Sequence, residues 1–489
     1  MGYSRIGCLG KGLDLCQVPH SLFGKKTRVR GGCRSRQGCV LAIVALSPVL
    51  YTRRRSCIID RGVILRQCGL PVGHRMKSSQ KRRSRRDRQS SVISGLVSCV
   101  LCATALSSPA SAQVATVDAN IPAKISLQPG KGIIAESSDG RFSFGVRSRL
   151  QARETLSHDS QWRNESQIRT LRLFTYGHLL SKDLRYVIQF AFGANDFDPA
   201  TPSPIFDAFV DYSVHRDLQL RVGQYFVVFD RARTIREFAL QLVDRQQVVQ
   251  ELNLDRDVGV TALSSDLFGL GGKLNYAVGL YGGNGRNRSG NKRAGYLVTA
   301  RLGVKPFGGF DDDSEGDLER SSKPRLALGV AGALNDNSDR QRSTIGTLYQ
   351  EATFDYLHGA VDLVLKWKGL SILGEVLLRQ AQVDSKTKIV SAAPVTEWSR
   401  SGWGYLVQAG YMLSPRVEVA GRWDELFKVG DTDPALVALI KRQGREVGGG
   451  INIYLNGHLL KLQADYFARF GDGSVDVSQA VRLQLDASF

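Results

Sequence analysis

No cysteine occurs after Cys102. All eight cysteines of the 489-residue chain lie at or before that position, so the 377 residues from Gln113 onward hold none. The main body therefore contains no disulfide, no cysteine-ligated metal and no cysteine nucleophile. It also lacks any apolar run of about eighteen residues, which excludes a transmembrane helix. Acidic residues are scarce at the start. Residues 1–112 hold 21 Lys or Arg against 3 Asp or Glu, and the remainder holds 45 against 43. The formal charge of +20 thus comes almost wholly from upstream sequence. No nucleic-acid partner is expected for the main body.

What is present divides at one boundary. Met76 stands before a cationic run that includes Lys77, Arg82, Arg83, Arg85, Arg86 and Arg88. Residues 92–106 are apolar, and Ala110-Ser111-Ala112 matches a small-x-small cleavage pattern. Residues 76–112 read as a secretory signal peptide cleaved after Ala112. Arg85-Arg86 invites a twin-arginine reading, but Asp87-Arg88 follows where apolar residues belong. Residues 1–75 show no sustained periodicity and read as a spurious or untranslated upstream extension. The alternative is a real extension, with residues 39–51 as a second apolar segment. Residues 113–140 are assigned as a mature N-terminal segment and 141–489 as the folded body.

That body alternates. Phe142, Phe144, Val146 and Leu150 fall on one face, and Arg147, Arg149, Gln151 and Arg153 on the other. Leu184, Tyr186, Ile188 and Phe190 oppose Arg185 and Gln189. Trp403, Tyr405, Val407 and Tyr411 alternate with Gly404, Gln408 and Gly410. Period two gives one apolar and one polar face. The segments exceed the roughly 5–6 residues of common soluble strands and suit tilted strands of about 9–11 residues crossing a bilayer. Such a sheet must close, because an open edge leaves backbone groups unpaired in hydrocarbon. Sixteen candidate strands, joined by short turns alternating with longer loops, predict an all-β, transmembrane, antiparallel up-and-down barrel with both ends in the periplasm. Residues 155–166 read as one of the long loops. Residues 311–323 read as a long acidic turn, solvated rather than cation-binding. Alternation runs to the terminal Phe489, which resembles the sorting signal that barrel assembly machinery reads. The expected location is the outer membrane of a Gram-negative bacterium, with membrane lipid as a partner.

If apolar positions face lipid, the others line a lumen, wide enough for water at about sixteen strands. Alternation places fourteen bases and nine acids inward, with arginine concentrated early. Arg147, Arg149, Arg172, Arg185 and Arg221 are the candidate anion path, because Arg lowers the barrier for anions and suits phosphate. The competing reading is salt-bridge belts that stiffen the wall. About thirty residues after Gln224 lack alternation, which is long for a structureless loop. They are expected to fold into the lumen as a constriction, with Arg231, Arg233 and Arg236 as candidates.

Several blocks resemble the phosphate-selective porin O and P family across residues 132–489. They are Ser138-Asp139-Gly140-Arg141-Phe142, Arg169-Thr170-Leu171-Arg172-Leu173, Phe206-Asp207-Ala208-Phe209-Val210, Arg221-Val222-Gly223-Gln224-Tyr225, Arg256-Asp257-Val258-Gly259-Val260 and the stretch Tyr276 to Gly285. The resemblance implies a homotrimer of sixteen-stranded, anion-selective pores, each narrowed by an inward third loop and lined by an arginine ladder for phosphate or polyphosphate. Thr170 stands where the family pattern has a base, and Tyr225-Phe226-Val227-Val228-Phe229 replaces its usual continuation after Gly-Gln. Phosphate specificity does not carry over with those departures.

An enzyme is not expected: no serine-containing signature accompanies His178. No pair of His has ligand spacing, so neither a metal nor a cofactor is expected. A general or sugar-selective porin stays open, with Phe174, Tyr176, Phe209, Tyr225 and Phe467 as aromatic candidates. So does a mostly structural barrel.

Overall fold

A segment that is apolar on alternate residues satisfies its backbone only by pairing with others of its kind. In the computed structural model, residues 123–198, 201–288, 290–391, 393–472 and 477–489 are described. The expected upstream extension and signal peptide, residues 1–112, lie outside them.

Sixteen strands form the barrel: β1 (Ser143–His158), β2 (Trp162–Leu179), β3 (Ser181–Ala191), β4 (Ile205–His215), β5 (Leu218–Phe226), β6 (Arg256–Ser264), β7 (Leu274–Tyr281), β8 (Leu297–Val304), β9 (Arg325–Ser338), β10 (Phe354–Trp367), β11 (Leu370–Ala381), β12 (Gly402–Met412), β13 (Val417–Lys428), β14 (Arg445–Asn456), β15 (Leu460–Phe470) and β16 (Ser478–Ser488). Each pairs antiparallel with the next, and β16 pairs back onto β1, from Gln479↔His158 to Ser488↔Arg149. Closure uses the last residue: Phe489 N donates to Ser148 O (3.0 Å), and Ser148 N donates to Phe489 O (2.7 Å).

Burial is inverted relative to a soluble protein. Leu171, Val361, Val407 and Leu483 are exposed, whereas Asp362, Glu418, Asp424, Glu446 and Asp486 are buried. Apolar side chains facing out of a closed sheet are satisfied by hydrocarbon, and no unpaired edge meets it. The fold is a transmembrane β-barrel.

One end, called the terminal end, carries the start of β1 and Phe489. A hairpin (Ala123–Gln128 and Gly132–Ser137) pairs there with the first residues of β1. Gly132 has φ +72°, and a Cβ on it would lie 2.0 Å from Val146 O, so only glycine fits that approach. The opposite, loop end holds the longer connections.

Two expectations about connections change. Residues 155–166 are not a long loop: β1 and β2 stay paired through Thr155↔Glu165 to His158↔Trp162, leaving three residues between them. Polar outward residues there hide the alternation. The acidic turn, residues 305–324 at the terminal end, is not a solvated run, because Asp312, Glu315 and Asp317 are buried.

An apolar cluster joins the long loop to the barrel wall. Val227, Phe229, Val248, Val249 and Leu252 of the long loop cluster with Ala331 (β9), Val364 (β10), Leu373 and Leu377 (β11) and Leu406 (β12).

Candidate functional site

The loop of residues 227–255 carries charges that match the wall. It contains two short helices, α1 (Arg231–Thr234) and α2 (Gln247–Leu252). On the wall, Arg149 lies directly opposite Arg172, and Asp362 directly opposite Glu375. Like charges in that position repel. The loop supplies the opposite sign at each place. Glu237 Oε2 is 2.9 Å from Arg172 and 3.9 Å from Arg149. Arg231 Nε donates to Asp362 (2.5 Å), and the backbone N–H groups of Arg231 and Ala232 donate to Glu375 (2.8 and 3.0 Å). Asp244 accepts from Arg153 (2.9 Å) and Arg482 (2.5 Å). Glu251 accepts from Arg379 (2.5 Å) and Arg400 (2.7 Å).

These partners hold the loop carboxylates ionised. Burial works against the charge of Glu237, yet Arg172 and Arg149 hold it well below the usual range. Burial likewise opposes Asp244, which Arg482 and Arg153 lower. Glu251 is lowered by Arg379 and Arg400 against burial. Asp230 goes the other way: burial raises it, and Arg233, Arg245 and Arg301 only partly compensate. Neither of its carboxylate oxygens has a side-chain hydrogen-bond partner among the described residues.

A cavity of about 620 Å³ remains on the other side of the loop. Strands β1 to β8 supply its wall, including Arg149, Arg172, Arg221 and Arg256. Arg231 and Arg236 of the loop and Asp311 to Ser314 of the acidic turn complete it.

The candidate residues divide into two groups. Most are neutralised. Arg149 makes a two-point pair with Asp486 (2.9 and 2.6 Å). Arg172 meets Asp196 as well as Glu237. Arg221 pairs at two points with Asp211 (2.7 and 2.8 Å). Arg233 pairs with Asp255 (2.6 Å), and Arg231 with Asp362 and Asp312. The others keep their charge free of a carboxylate among the described residues. Arg236 is exposed into the cavity. Arg147 lies over the Phe174 ring (4.5 Å) beside a separate, smaller space. Arg185 is exposed near the terminal end.

Alternation misplaces one residue. It puts Phe206 on the lipid face, but the register shifts between Gln189 and Phe190, where β3 pairs with β4. Phe206 is instead buried under three guanidiniums: Arg256 (3.6 Å), Arg172 (4.4 Å) and Arg286 (4.6 Å). A bulge leaves no mark in an alternation pattern. Thr170 shares the inner face with Arg172 and is buried. The structure also brings a serine to His178: Ser143 Oγ lies 2.7 Å from Nδ1, and His178 Nε2 is 2.9 Å from Gly140 O. Ser143 Oγ accepts from the His178 backbone N–H as well, so this contact ties β2 to the start of β1.

Closure, strand number and inverted burial define the class: an outer-membrane-type β-barrel of sixteen strands. No family model and no curated protein matches the sequence. Among solved structures, the chain is similar to OmpF of Salmonella typhi, with a TM-score of 0.49 and 12% identity over 72% of this chain and 100% of that one. It is also similar to the outer membrane channel DcaP of Acinetobacter baumannii (0.44, 13%, 72% and 99%). An anion-selective porin from Comamonas acidovorans gives 0.45 and 10% over 71% and 100%.

Proposed function

We propose that the chain is a porin of a Gram-negative outer membrane: a diffusion channel with a modest preference for small anions such as phosphate. The observation that carries this is the cavity beside the loop, where Arg236 presents a guanidinium with no carboxylate partner among the described residues. A cationic group that lines the conducting space lowers the barrier for anions. The charge matching of Glu237, Asp244, Glu251 and Arg231 supports the reading that the loop lies in the lumen and narrows it. The preference is modest because Arg149, Arg172 and Arg221, the expected ladder, are already tied to acids. A phosphate-specific pore needs several free guanidiniums along the path. The sugar reading loses support for a related reason: Arg147 covers the Phe174 ring and Arg221 the Phe209 ring (4.4 Å). Export through the signal peptide, delivery to assembly machinery through Phe489 and trimer formation belong to the same proposal.

Zero-current potential across a planar bilayer under a KCl gradient tests it. The wild-type chain is expected to give an anion-side potential. Arg236→Ala should move it towards zero further than Arg221→Ala does. A cation-side potential for the wild type overturns the anion preference. Phosphate block of the chloride current separates a phosphate channel from a general one.

A further inference from the structure

The acidic turn between β8 and β9 meets the long loop inside the barrel, although the two start from opposite ends. Glu315 N donates to Ala239 O (3.1 Å). The Glu315 carboxylate accepts from Gln241 N (2.7 Å), Gln246 Nε2 (3.3 Å) and, from β12, Gln408 Nε2 (2.7 Å). Asp312 accepts from Arg231 Nη1 of the loop (2.6 Å) and from Lys305 (2.5 Å). The wall fastens the turn as well. Lys366 of β10 donates to Asp311 O and Ser314 Oγ (both 2.8 Å), and Asp317 accepts from Gly369 N (2.8 Å). Glu315 and Asp317 are 3% and 2% exposed, values for ionisable groups enclosed by protein rather than washed by periplasm.

A tight turn needs only a few residues, and residues 368–369 join β10 to β11 with two. Twenty residues between β8 and β9 are therefore surplus to connection. Their buried carboxylates would be costly unless every one found a partner, and Asp312, Glu315 and Asp317 do. We propose that residues 305–324 are a second constriction element, which enters from the terminal end, latches the long loop through Glu315 and Asp312, and thereby sets the width of the pore. The proposal rests on the porin reading. The long loop is held to the wall by its own charges. The turn closes the face that the wall cannot reach, and Asp312 and Ser314 become part of the cavity lining. Pore width is then a joint property of two segments far apart in sequence.

Single-channel recording of the full chain in planar bilayers tests this. Glu315→Ala, alone and with Asp312→Ala, is expected to raise unitary conductance about twofold and to add open-channel noise. Glu315→Gln should show less of both, because an acceptor oxygen remains. Glu319→Gln, on the exposed part of the same turn, should match the wild type. Heat-modifiable mobility on gels confirms that each barrel has folded. If Glu315→Ala folds and its record matches the wild type, the latch is overturned. Should that variant fail to fold, Ala239→Cys with Glu315→Cys decides. Oxidation is expected to join the two peptides, as mapped by mass spectrometry, and to quiet a channel that reduction makes noisy again. Failure to join them overturns the contact. A wild-type chain that forms no channels overturns the porin reading itself, and a wild-type channel with an unchanged variant overturns only the latch.

Discussion

The two halves of the barrel use the same alternating code for different ends. Across β9 to β14, inward polar residues such as Arg379, Glu418 and Asp424 are fully buried, because the loop and the acidic turn cover them. Around the cavity, Arg221 keeps about a quarter of its side chain accessible and Arg236 is exposed. The β9–β14 side resembles the interior of a soluble protein, with an apolar cluster and matched ions; on the cavity side Arg149, Arg172 and Arg256 are buried and paired as well, while Arg221 and Arg236 keep access to the cavity. Identical periodicity therefore says which face a residue takes, not what it meets there.

The largest test removes the covering. Replacing residues 231–252 with a short Gly-Ser linker should raise conductance about threefold, as the wall alone then limits the pore. Unchanged conductance would place the loop outside the conducting path. Single substitutions come next. Arg231→Ala takes one of two arginine partners from buried Asp362, leaving Arg301 (2.6 Å), and removes the pair with Asp312; it should cost about 3 kcal/mol. Arg221→Ala breaks a pair that water still reaches and should cost nearer 1 kcal/mol. Thermal unfolding in detergent compares them, and equal losses would erase the distinction between the halves.

The smallest effect is the response to pH. Glu237, Asp244 and Glu251 are held below their ordinary values. Their contribution is complete above about pH 4, where unfolded carboxylates titrate, and is lost as pH falls through the lowered values. Asp230, raised by burial, contributes in the opposite sense: what it adds is present at low pH and fades as pH rises through its raised value. Channel noise should not grow from pH 7 to about 5, where Asp230 takes up its proton and only adds stability, and should rise in stronger acid. Noise that grows already near pH 6 would show that the loop is not held by these ions.

Much of this was legible in sequence, because lipid on one side and protein or water on the other impose a strict period of two. Strand number, inward arginines and the break in alternation after Gln224 follow from that single constraint. The pairing of those arginines does not. Arg149 meets Asp486 across the closing seam, 337 positions away, and Glu237 answers Arg172 from a loop with no period at all. Phe206 was hidden by a bulge. Asp312 and Glu315 look like any solvated acids until their partners on another segment are known.

The seam has a consequence for how the molecule is made. Every other strand pair joins neighbours in the chain and can form as soon as both are present. β1 and β16 cannot meet until Phe489 has arrived, and closing so large a loop is entropically slow. Until then the growing sheet carries two open edges, at β1 and at whichever strand came last. Those edges are where an unfinished barrel is most prone to join the wrong partner. Both edges are satisfied together, at the single moment when Phe489 reaches Ser148.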